Sequence, residues 1–198
     1  MSNVADPASL PAEDIDPQRF LWYGIYVLIM GIWALPLFGL RVPQIFPYMA
    51  TLVVHEFAAF LFFGHTFFSN IWSMRIRQTQ PTETGVWARA MLRKMALGIT
   101  GTTSIIIPLA GLMLVESWGG LLNAPWAWDA YFVFWLMAAV SLVPDVIRYG
   151  RNRNAGKPEH GMKSGAIRGI TALFLTLYIM FVMITKTSLF AGIFIPGL

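Results

Sequence analysis

Four residues with chemical potential sit in one apolar stretch, Val53-Val-His-Glu-Phe-Ala-Ala-Phe-Leu-Phe-Phe-Gly-His-Thr-Phe-Phe-Ser-Asn-Ile-Trp72: His55, Glu56, His65 and Asn70. An imidazole can ligate a metal or pass a proton, and a neighbouring carboxylate can receive that proton. The stretch is long and apolar enough to cross a bilayer, where an ionisable group costs about 2.5–3.5 kcal/mol on insertion scales and therefore faces protein, a cavity or a cofactor. At helical spacing His55, Ala59, Phe62, Thr66, Ser69 and Ser73 share one narrow stripe, small and polar, with bulky Phe and Leu beside it. Small residues mark the face of a membrane helix that meets other helices. His55 is therefore expected to point into a bundle. Glu56 lies about 100° around from it, as a candidate partner in proton relay, and no Lys or Arg within a span can pair with it except from a partner chain.

The elements that would position these groups follow from composition. Of 198 residues 57% are hydrophobic and 12% charged, with a mean hydropathy of +0.61. Soluble domains carry about 25% charged residues. The apolar residues come in runs near the bilayer-crossing length, at about 20–40, 48–74, 95–115, 126–149 and 166–190. The expected fold is an all-α, polytopic membrane bundle of five transmembrane helices, because lipid admits only helices or closed barrels and no barrel alternation is present. Helices two, three and five present small-residue seams, such as Gly98–Gly111 and Gly165–Gly169, and helix one does not. The core is expected to be helices two to five, with helix one peripheral. Pro108 should bend the third helix, its freed backbone groups being met by nearby Thr or Ser.

Residues 1–19 form an acidic, Pro- and Ala-containing tail, without the positive start and early apolar run of a secretory signal. Of the 14 Lys and Arg, all but Arg41 and Lys186 fall in the tail or in the loops after the second and fourth spans. The positive-inside rule then puts the N-terminus in the cytoplasm and the C-terminus outside a bacterial-type inner membrane. The same placement, in short loops between apolar runs, argues against a nucleic-acid partner despite a pI near 9.6. No Cys is present, which excludes disulfides, thiolate metal sites and cysteine catalysis. Nucleophilic triads, phosphate loops and zinc signatures are absent as well.

His55, Gly64 nine residues later, a basic loop, Met91-Leu-Arg-Lys-Met-Ala-Leu97 and an apolar helix closing on Leu109-Ala-Gly-Leu-Met-Leu114 together resemble a known module. It is the four-helix membrane module of copper-resistance D-type proteins, of a related uncharacterised integral-membrane family, and of HemJ-type protoporphyrinogen oxidases. The resemblance covers about residues 48–190. It implies haem b at His55, which in the HemJ-type enzymes is aided by a lysine at the start of a later helix. Here the matching stretch is Ala124-Pro-Trp-Ala-Trp-Asp-Ala130, with no lysine.

A six-coordinate haem needs two axial ligands on opposite faces. His55 and His65, ten residues or about 15 Å apart on one helix, do not share one iron within a chain. His160 belongs to the loop after the fourth span. The plain alternative is a neutral His55 bonded to Thr or Ser on the third helix, and an ordinary i,i+3 pair for Asp145 and Arg148. Soft Cu(I) would favour thioethers, and Met91/Met95 and Met180/Met183 each share a helix face, although Met is also ordinary packing material. Three functions are carried forward. They are a non-catalytic accessory subunit docking on a larger redox or photosynthetic membrane complex, a haem-binding redox protein or HemJ-like oxidase using His55, and a copper or small-solute permease. The expected partners are the bilayer and other membrane subunits or further copies of the chain.

Overall fold

The computed structural model describes residues 18–151 and 162–190, all helix, turn or irregular chain, with no strand among them. Three helices are long and apolar enough to cross a membrane: Tyr48–Thr79, Gly98–Trp118 and Ile167–Thr185.

Prolines and glycines set the boundaries. Helix α1 spans Gln18–Trp33 and ends well before the expected Leu40. Pro36 brings no N–H and restricts the residue before it, so the chain tightens into a 3₁₀ turn, Leu35–Phe38. Gly39 closes that turn in the left-handed region at φ 74°, a conformation costly for any residue with a Cβ.

Helix α2 starts after the extended Pro47 and spans Tyr48–Thr79. It passes the expected end at Met74 because nothing breaks it before Pro81, which holds Gln80 extended (φ −118°, ψ 153°). Helix α3, Thr82–Met95, begins directly after that proline. The expected basic loop is therefore a helical hairpin, and Arg75, Arg77, Arg89, Arg93 and Lys94 ride on its two arms. From α3 the chain continues through a π-helical stretch, Ala96–Gly101, into α4, Thr102–Val115, which contains Pro108. Two short 3₁₀ turns lead to α5, Pro125–Arg151, with Pro125 at its first position. Helix α6 spans Met162–Thr185.

Helix α2 packs along α4 and α5 along α6, and contact between α2 and α6 joins the two pairs. Large side chains fill the centre. Trp33, Phe62, Phe134 and Met137 form one buried cluster, and Leu112, Met113, Leu121, Ala127 and Tyr131 belong to another towards the α4–α5 turn. Helix α1 turns Leu21, Val27 and Leu28 outwards. It is nevertheless anchored at Trp33, 2% exposed, whose ring meets Phe134 and Trp135 edge-on at 5.2 and 6.5 Å.

The Tyr131 hydroxyl donates to the Trp33 carbonyl, one of the four carbonyls that a helix end leaves without an intrahelical partner. Tyr131→Phe should lower stability by about 1 kcal/mol, the net worth of one such bond. Thermal unfolding in mild detergent would register it. An unchanged melting temperature would mean that the aromatic packing alone holds α1.

Candidate functional site

Helix α2 buries Thr51, His55, Ala58, Phe62 and Thr66, so the polar stripe faces the bundle as its spacing implied. Ala58 is the more deeply buried neighbour, Ala59 being half-buried.

His55 is 8% exposed, and its Nδ1 lies 2.9 Å from the Ile107 carbonyl oxygen of α4. A carbonyl only accepts, so Nδ1 carries the proton and Nε2 keeps its lone pair. The partner is backbone, where the sequence pointed to a Thr or Ser hydroxyl. Two hydroxyls of α4 are occupied elsewhere: Thr103 donates to the Ile99 carbonyl at 2.7 Å and Ser104 to Gly101 at 2.8 Å, both acceptors in the π-helical stretch. Gly111 makes room for the ring, since a Cβ there would stand 3.1 Å from His55 Cε1. His55→Ala should cost about 2 kcal/mol by losing this bond and opening a void, whereas Glu56→Gln, on the exposed face, should cost less than about 0.5 kcal/mol. Thermal unfolding of the two variants side by side checks this, and equal losses would contradict the burial of the imidazole.

His65 takes its partner from the π-helical stretch: its Nδ1 and the Thr100 hydroxyl are 2.8 Å apart, and its Nε2 is buried without one. Asn70 donates to the carbonyls of Thr66 (2.8 Å) and of Gly169 on α6 (3.3 Å). Both residues are thus met by neighbouring helical segments.

Beyond the spans, one cation comes near this face of α2. Lys186, the first residue beyond α6, lies within electrostatic reach of Glu56 and of the His55 ring. Its backbone is left-handed (φ 56°) and its ammonium sits 3.7 Å from the centre of the Trp126 ring, a cation–π arrangement. Partial burial there pushes the lysine below its ordinary pKa, against the pull of the Glu56 carboxylate.

Lys186 owes its place to a residue that attracted no notice in the sequence. Asp129, fully buried near the start of α5, accepts four hydrogen bonds. The Tyr178 hydroxyl (2.8 Å), the Ser188 hydroxyl (2.8 Å) and the backbone N–H groups of Leu189 (2.8 Å) and Phe190 (3.1 Å) converge on it. The clasp folds the segment after α6 back over the end of α5. A carboxylate between Trp128 and Ala130 in an apolar run was the available signal, because an ionisable group there must find partners.

His55, Glu56 and Lys186 thus lie towards the α4–α5 end, with His65 towards the other end. No cluster of three His, Asp or Glu able to hold a metal is present among the described residues. The Met91 and Met95 side chains are exposed on α3, while Met180 and Met183 are half-buried on α6, so the two thioether pairs belong to different helices. His160 and the side chains of Asp145 and Arg148 lie outside the described residues. No protein family, curated protein or solved structure matches the chain.

Proposed function

We propose that the chain is a five-pass subunit of a bacterial-type inner membrane, N-terminus cytoplasmic and C-terminus outside, that packs without catalysis of its own against a larger redox or photosynthetic membrane complex. One observation carries this reading: three polar side chains inside the bundle are engaged in holding helices together. Asp129 gathers four donors, Asn70 ties α2 to α6, and His55 ties α2 to α4. Helices α1 and α5 supply the two further passes, with Tyr131 fastening one to the other. Extraction of native membranes in a mild detergent tests the proposal. The chain should travel with a larger complex on native gels, and a stable solitary monomer would overturn it.

The geometry of His55 favours a second reading. A metal-ligating histidine characteristically donates its other ring N–H to a carbonyl or carboxylate, and His55 is held that way by Ile107 with Nε2 left over. His55 would then hold haem b, which would supply electron transfer; His65, about 15 Å along the same helix and engaged with Thr100, would not share in holding it. Under this reading the extracted protein shows a Soret band that His55→Ala abolishes. A colourless protein after haem supplementation removes it.

A further inference from the structure

The α2–α3 hairpin concentrates positive charge in the sequence. Helix α2 has 32 residues, about 48 Å, against a hydrocarbon core of about 30 Å, so one of its ends must leave the apolar layer. The end that leaves is recognisable. Exposed apolar side chains run down α2 to Ile71, Trp72 and Met74, and exposed Arg75 and Arg77 follow at once. On the other arm Met91 and Met95 are exposed, and Arg89, Arg93 and Lys94 occupy the same turns of α3. Trp87, 62% exposed, stands just beyond them. Between residues 75 and 94 the sequence has five cations and a single carboxylate, Glu83. Neither Arg75 nor Arg77 forms an ion pair with a described residue; the pair that is formed, Arg41 with Glu116 at 3.6 Å, lies at the opposite end.

We propose that this hairpin is a binding collar for anionic phospholipid headgroups, an inference that rests on the membrane-spanning reading of the bundle. Arg75 and Arg77 stand where the apolar surface of α2 stops, which is the level of the lipid phosphates, and the indoles of Trp72 and Trp87 flank this level as interfacial anchors. Their distribution selects lipid over an acidic protein. Arg75 and Arg77 are about 200° apart around α2, so one flat partner face does not cover both, whereas headgroups surround the hairpin on every side. Arginine also suits phosphate, because its planar fork offers two parallel donors.

The test uses the full chain in nanodiscs of phosphatidylcholine, with and without phosphatidylglycerol, and reads the melting temperature by tryptophan fluorescence. The anionic lipid should raise it by about 5 °C, and high salt should shrink the gain. The double variant Arg75→Gln/Arg77→Gln should lose at least half of the gain, while Arg41→Gln at the other end should keep it. Equal melting in the two lipids, or a full gain in the double variant, overturns the proposal. Equal melting combined with a lower melting temperature for the double variant would show that carboxylates cover the arginines, a partner's or those of residues 1–17, and overturns it too. Failure of the chain to enter either nanodisc would refute the membrane reading instead.

Discussion

Asp129→Ala should be the most damaging single substitution in this protein, lowering unfolding free energy by about 4 kcal/mol. Breaking a buried charged hydrogen-bond network typically costs about 3–5 kcal/mol, because the partners stay buried while their acceptor is gone. Here four donors lose it together: the hydroxyls of Tyr178 and Ser188 and the N–H groups of Leu189 and Phe190. Asp129→Asn keeps the shape but turns one acceptor oxygen into an NH₂ group facing donors, and should cost about half as much. Denaturant or thermal unfolding in detergent measures both losses. The clasp also positions Lys186, so a tryptophan signal from Trp126 should change in the alanine variant even below its melting temperature. A variant within about 1 kcal/mol of the parent would show that the segment after α6 is held by its apolar contacts alone.

The second large effect is expected at Gly169. A Cβ at this position would collide with Asn70 Oδ1, far inside van der Waals contact. Gly169→Ala must displace the amide, losing its bonds to Thr66 and Gly169, or push α6 from α2; overpacking of this kind costs about 1–3 kcal/mol. A double-mutant cycle separates the contact from any intrinsic effect of alanine on the helix. Asn70→Ala removes the obstacle, so Gly169→Ala should be markedly cheaper in that background, with a coupling of about 1–2 kcal/mol. Additive losses would place the origin of the effect elsewhere on α6.

These two sites differ in how far they could be read beforehand. Gly169 lies in a Gly-Ala-Ile-Arg-Gly stretch whose small residues announce close approach, and Asn70 is a polar group in an apolar run, but nothing local joins the two across 99 residues. The burial of His55 was legible from the four-and-three spacing of its stripe. Its acceptor was not, because a backbone carbonyl has no signature in the residue type, and Ile107 reads as plain packing. The hairpin was half legible: Pro81 forecasts a break, yet the polar, charged residues around it read as loop, while good helix formers such as Ala, Met, Leu, Arg and Lys supported a helix right up to the π-helical stretch.

The amino-acid sequence by itself determined that the chain folds as helices with spans apolar enough for a membrane, and that α2 turns His55 inwards. Each of these depends on hydropathy or periodicity over a few neighbouring residues. Only the tertiary structure decided that Asp129 gathers Tyr178, Ser188, Leu189 and Phe190 from 49 to 61 residues away, and that the left-handed Lys186 sits over the Trp126 ring. A buried carboxylate requires donors, but which donors reach it depends on where α5 and α6 place their ends, and that is settled by packing rather than by local pattern.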